Sequence, residues 1–266
     1  SEFRVTTLER GGSDTSAILC AKFFNAKKCV IYTDVKGVYT TDPNLIKSAK
    51  KINKISYEEM LEMASLGAKI MQPASIQEAR LNRIEIDVRS TFSKVKGTTI
   101  TKKKNIFSRN TIRGISFTKN DAKLTLIGVK DKPGVAASIF RPLYENSINV
   151  DMVVQNISAN RRETDLTFTI KLEDLIKTRR LIENNKSIKF KKLIINKNVS
   201  KVSIIGVGMI TTPGVTYRMF KALAKKKINI EVISTSEIKI SVLINKKNLK
   251  KSVEILHQEF KLSNNL

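Results

Sequence analysis

The second half of this 266-residue chain repeats itself. Lys123-Leu124-Thr125-Leu126-Ile127-Gly128-Val129 returns as Lys201-Val202-Ser203-Ile204-Ile205-Gly206-Val207. Pro133-Gly134-Val135 returns as Pro213-Gly214-Val215, and Ile148-Asn149-Val150-Asp151 as Ile228-Asn229-Ile230-Glu231. A period of roughly 80 residues is too long for a solenoid unit, so these are two copies of a small domain. Each copy reads strand, Pro-Gly turn, helix, strand, strand, helix, the order of a β-α-β-β-α-β unit. Residues 191–196 can close the first copy, but only Lys261–Leu266 follow the last helix of the second. Ile112–Thr118 is a spare strand, and an unpaired internal edge is costly. It is therefore expected to cross over and complete the second sheet. The first copy (119–196) is then inserted within the second (111–118 plus 197–266).

Residues 1–101 follow a different pattern. Thr6–Ala17 runs from a β-prone lead-in through Gly11-Gly12 into Ser13-Asp14 and the apolar positions Ile18, Leu19, Ala21, Phe23 and Phe24. Ser13 or Asp14 is a natural N-cap, and the glycines admit close approach of a ligand to the backbone. A helix N-terminus favours a carboxylate or phosphate, and Arg10 adds a fork for the same anion. Taken alone, Arg10–Asp14 is equally an ordinary Gly-rich turn. Cys29–Asp34 reads as a buried strand and Val38–Pro43 as a hairpin-like excursion. Ser56 with Glu59 forms a capping box, Pro73 opens a helix to about Leu81, and Ile84–Arg89 and Gly97–Ile100 are strands. Strands alternating with helices indicate an α/β layer. The polar segment 102–110 is the expected linker.

The balance of 49 Lys+Arg against 24 Asp+Glu raises the question of nucleic acid. The lysines are spread over every polar face, which fits a solvated surface better than a binding patch. RNA-binding sheets of this shape need aromatic side chains on their central strands, and Leu124–Val129 and Val202–Val207 have none. No run is long enough to span a bilayer. Cys20 and Cys29 make neither a disulfide framework nor a metal spacing, so a reducing cytoplasm is expected. His257 is expected to be solvated or half-packed on a terminal amphipathic helix. Ser1 in place of an initiator methionine predicts a chain that starts within a longer sequence.

The run TTLERGGSDTSA, then YTDVKGVYTTDP, then GAKIMQPAS, then the two Pro-Gly repeats, resembles the aspartokinase family along the entire chain. The resemblance implies the C-terminal portion of an α/β amino-acid-kinase (carbamate-kinase-like) domain, followed by two α+β ferredoxin-like ACT domains. It implies ATP- and Mg2+-dependent phosphorylation of L-aspartate in the route to lysine, threonine, methionine and diaminopimelate. Arg10 and Ser13 match substrate positions, and Asp14 matches a catalytic position beside the reacting groups. Thr33, Asp34, Tyr39 and Lys69 match nucleotide positions. By itself Tyr39 reads as a packed hairpin aromatic and Lys69 as a surface lysine. For a lysine or threonine effector the matching positions are Asp131, Gly134, Val135, Ala136, Asn149, Val150, Asp151 and Gln155. In the second repeat they are Gly214, Val215, Asn229, Ile230 and Glu231.

Exposed ACT sheet edges usually pair, so a homodimer through the ACT domains is expected, with neither nucleic acid nor membrane as partner. Measured against the family, the N-terminal half of the kinase domain with its Lys-Phe-Gly-Gly-Thr segment is missing. Glu9 replaces a glycine, and Asn44 stands where arginine follows Asp-Pro. The isolated chain is therefore expected to be inactive as a kinase. The alternative is a non-catalytic, amino-acid-sensing regulatory subunit.

Overall fold

The computed structural model describes residues 11–68, 70–102, 111–157, 163–185 and 187–264. The first sheet contains β1 (Lys28–Thr33), β2 (Lys54–Ser56), β3 (Glu85–Ser90) and β4 (Thr98–Thr101) in the order β1-β3-β4-β2. β1 runs parallel to β3 and β2 parallel to β4, while β3 and β4 are antiparallel. Three helices, α1 (Gly12–Phe23), α2 (Tyr57–Ser65) and α3 (Pro73–Leu81), pack on it around Ile18, Ile31, Met60, Ile76, Ile86 and Val88.

α2 begins as its sequence requires. Ser56 accepts the Glu59 N–H, and the Glu59 carboxylate returns to the Ser56 N–H. α1 corrects the expected cap. The N-cap is Gly11, not Ser13 or Asp14, in the left-handed region at φ 80° and without a side-chain cap. The cause is tertiary: a Cβ on Gly11 would lie 1.9 Å from Cγ of Gln72. The turn closes against the start of α3 only because glycine stands there.

The second sheet has six strands: β5 (Gly114–Lys130), β6 (Val150–Ile157), β7 (Glu163–Lys171), β8 (Lys192–Ile205), β9 (Ile230–Thr235) and β10 (Lys239–Asn245). Their order is β6-β7-β5-β8-β10-β9. β5 and β8 each pass through both halves. Gly114–Thr118 pair antiparallel with Ile205–Lys201, and Lys123–Ile127 pair with Asn196–Lys192. α4 (Val135–Glu145) and α5 (Leu175–Glu183) cover the first half, with a core of Leu124, Ile139, Leu143, Phe168 and Ile182. α6 (Val215–Lys225) and α7 (Leu249–Glu259) cover the second, around Val202, Met219, Leu223, Val242 and Val253. Spacings of i, i+4, i+7 and i+8 at Val215, Met219, Ala222 and Leu223 put one helix face on the sheet.

The two layers meet at polar contacts that are buried or part-buried. Glu59 accepts the Val207 N–H at 3.0 Å and faces Arg113 at 3.7 Å, and Lys239 pairs with Glu62 at 2.9 Å. His257 is a second correction: it is fully buried rather than solvated or half-packed. Its Nε2 lies 2.9 Å from the Thr40 hydroxyl, and its Nδ1 lies 3.3 Å from that of Ser263. The i, i+4 pattern of α7 carries it inward, and two hydroxyls satisfy the ring.

Burial pushes the His257 pKa below the ordinary 6.5. On acidification the unfolded chain therefore takes up this proton before the folded one. The contribution of neutral His257 to stability is complete above the ordinary histidine pKa. It is lost as pH falls through that value toward the folded one. The melting temperature should drop between about pH 7 and pH 5, and His257→Gln should flatten that part of the curve. An unchanged slope in the variant would remove His257 from the account.

Candidate functional site

A four-residue turn returns the chain from α1 into β1, so the N-terminus of α1 and the C-terminal end of β1 lie at one end of the layer. In open α/β sheets this is the end where ligands bind. Without a side-chain cap, α1 offers its first-turn N–H groups and its positive dipole end to an anion. Ser13 is exposed at that turn, and Asp14 is half-buried one residue on. Burial pushes the Asp14 carboxyl up, and a hydrogen bond from the Gln72 backbone partly opposes the shift. Arg10 and Lys69 lie outside the described residues.

At the end of β1, the Thr33 hydroxyl donates to Oδ1 of Asp34 at 3.0 Å. The Thr33 carbonyl accepts the Thr91 N–H at 2.9 Å, which ties this strand end to that of β3. The excursion that follows carries Tyr39, half-buried and bridged to Lys51. What pins the excursion is Thr98, which no sequence signal singled out. Its Oγ1 accepts the Val38 N–H at 2.8 Å and donates to the Ile52 carbonyl at 2.6 Å. Gly37 makes room for it, since a Cβ there would lie 2.6 Å from that oxygen. Asn44 sits in a turn in which its N–H reaches Oδ1 of Asp42 at 2.8 Å. The structure thus brings Ser13, Asp14, Thr33 and Asp34 to one end of the layer, with the Tyr39 loop beside them.

The effector positions fall on two pseudo-equivalent turns. Gly134 and Gly214 are the N-caps of α4 and α6, at φ 86° and 85°, and a Cβ on either would meet open space. Asp131, Asn149, Gln155 and Asn229 are exposed, while Val135, Ala136, Val150 and Ile230 are partly buried. Val215 turns into the core of the second half. Asp151 and Glu231 each carry a lysine from the other repeat. Asp151 pairs with Lys201, and Glu231 pairs with Lys123 at 2.6 Å and with the Asn196 amide at 3.2 Å. Lys123 and Lys201 are equivalent in the repeat, as are Asp151 and Glu231, so the pairs form a reciprocal cross-brace. Burial pushes the Asp151 carboxyl up, but the Lys201 ammonium outweighs it and holds the pKa below the usual range.

Comparison with known proteins agrees with this architecture. The model of the amino acid kinase family matches residues 2–90, and an ACT domain model matches residues 124–185 and 202–260. An aspartate kinase of Pseudomonas fluorescens is 45% identical over 260 residues, covering 97% of this chain. The chain spans 63% of the length of that relative. Escherichia coli aspartokinase III, solved with aspartate and ADP, superposes with a TM-score of 0.81 at 28% identity, over 96% of this chain and 57% of that one. In its complex with lysine and aspartate the same enzyme gives 0.77 over 97% and 57% of the two chains, again at 28% identity. The regulatory subunit of aspartate kinase from Thermus thermophilus is 34% identical with a TM-score of 0.53, over 56% of this chain and 99% of that subunit. A kinase-family layer joined to two interlocked ACT repeats, and matched in that order by such relatives, places this chain in the aspartokinase family.

Proposed function

We propose that this protein serves the ATP-dependent phosphorylation of L-aspartate to 4-phospho-L-aspartate, under feedback from an end-product amino acid. The observation that carries the reading is the uncapped N-terminus of α1 at the same end of the layer as Thr33-Asp34. An oxygen of the substrate's side-chain carboxylate attacks the γ-phosphorus, the bond to the β-phosphate oxygen breaks, and ADP leaves. Arg10 grips the α-carboxylate, and Ser13 with the α1 N–H groups receives the anionic end. Asp14, held by Gln72, stands beside the reacting groups. Thr33, Asp34, Tyr39 and Lys69 take the nucleotide. Mg2+ would be held mainly by the nucleotide phosphates. Bound Mg2+ supplies charge neutralisation across the phosphates.

The proposed domain limits assign residues 1–101 to the kinase domain and 102–110 to the linker. The first ACT domain takes 119–196, and the second takes 111–118 plus 197–266. Lysine or threonine would bind against the turns at Gly134 or Gly214, and its ammonium would compete with Lys201 for Asp151. A homodimer through the ACT domains and a cytoplasmic place in lysine, threonine, methionine and diaminopimelate biosynthesis complete the reading. The unpaired Cys20 and Cys29 suit a reducing compartment.

The test joins this chain to the N-terminal kinase segment of a relative. The fusion should turn over ATP only with L-aspartate, and the unfused chain should not. Millimolar lysine or threonine should raise the melting temperature of both. A fusion silent toward aspartate that still binds an effector would favour a regulatory subunit, a reading supported by the full coverage of the Thermus subunit.

A further inference from the structure

Between the kinase layer and the second repeat lies a cleft of about 630 Å³, lined by none of the substrate, nucleotide or effector residues assigned above. Its volume falls within the range of small-molecule sites. One wall comes from α2 and α3, and the other from the loop after β8 and the β9–β10 turn. Four charged side chains line it in two signs: Arg80 and Lys102 against Glu58 and Glu237. Arg80 and Glu58 are 3.7 Å apart, too far for a good hydrogen bond, so both keep capacity for a ligand. Neither Lys102 nor Glu237 has an ion-pair partner among the described residues. Besides Tyr57 and Ser236, the lining between these charges is aliphatic, from Val207, Ile210 and Ile238, and Ile210 is 53% exposed.

We infer that this cleft is a binding site for a free amino acid with an apolar side chain. A carboxylate fits the Arg80 fork with Lys102 behind it. An ammonium fits Glu58 and Glu237, and an aliphatic side chain covers Ile210 and Ile238, removing their exposed surface from water. A dicarboxylate or a diamine would leave one pair of charges facing its like. A ligand here touches α2 and the loop at Val207 together, so it holds the second repeat against the kinase layer.

The probe is L-isoleucine, titrated calorimetrically into the complete chain, with glycine and L-isoleucinol as controls. L-isoleucine should give a saturable one-to-one isotherm, and both controls should bind at least about tenfold more weakly. Arg80→Met and Ile210→Ser, at partly exposed positions, should each weaken isoleucine about tenfold while leaving the ligand-free melting temperature in place. Absence of binding up to the solubility limit would overturn the inference. So would an affinity unchanged in both variants, which would put isoleucine at the ACT turns instead. Glycine binding as tightly as isoleucine would also overturn it, because the aliphatic wall would then be idle.

Discussion

Replacing Glu59 with alanine is expected to destabilise the protein by about 3–5 kcal/mol, the range for removing one partner of a buried ion pair. Three losses coincide at this residue. Its side chain is 1% exposed and faces Arg113, which is 4% exposed and would keep its charge in a place that water does not reach. Burial already pushes the Arg113 pKa down, and the Glu59 charge opposes that shift. The Val207 N–H would lose its acceptor, and α2 would lose half of its capping box. Urea denaturation should show a lower midpoint with little change in slope. The decisive comparison is with the double variant Glu59→Leu/Arg113→Met. It should lie closer to the parent than either single change, because removing both charges leaves none stranded. A double variant as unstable as the sum of the two single changes would mean that the pair is not what holds this joint.

Glu59 also marks how far the sequence can be read. Its capping box is local, three residues from Ser56, and is visible in the spacing alone. Its other oxygen meets Val207, 148 residues away, and no local pattern carries that information. The same division runs through the fold. Pro73 announces α3 and the repeated apolar strings announce β5 and β8, since propensity and periodicity act over a few residues. The cap of α1 escapes local reading because the side chain of Gln72, far along the chain, decides which residue can stand at that turn. His257 escapes it because burial of a polar ring depends on hydroxyls at Thr40 and Ser263 that only tertiary structure supplies.

At the candidate site the helix start near residues 11–14 and the strand end at Thr33 are legible from local pattern, while the roles of the residues there come from the family resemblance. Thr98, which holds the Tyr39 loop through two hydrogen bonds, is legible in neither way. A threonine in a short strand has no signature that separates a brace from a filler. The lysine partners of Asp151 and Glu231 are equally hidden. Lys201 and Lys123 lie in the other repeat, 50 and 108 residues away, beyond the reach of any local pattern.

Gly206 should be the least replaceable glycine at the joint. Gly206→Ala is expected to cost about 3 kcal/mol from two sources: forced overpacking and one orphaned buried N–H. The backbone conformation itself is not the obstacle, since φ is 173° and any residue adopts that. The obstacle is space. A Cβ would lie 2.2 Å from the Thr111 carbonyl oxygen and 2.8 Å from Cα of Ile112, both backbone atoms that cannot rotate aside. Hydrogen bonds hold both sides of the contact, from the Arg113 N–H to Ile205 at 2.7 Å and from the Gly206 N–H to Ile238 at 3.0 Å. Either the lead-in to β5 or the end of β8 must therefore move outward. Movement of β8 carries Val207 away from Glu59. The two sites then share one interaction, and shared interactions make mutational costs non-additive. In a double-mutant cycle, Gly206→Ala with Glu59→Ala should cost clearly less than the sum of the single changes. Full additivity would show that the alanine is accommodated on the β5 side, with the Val207 contact intact. A cost below about 1 kcal/mol for Gly206→Ala would show that the two strands yield more readily than packed backbone does elsewhere.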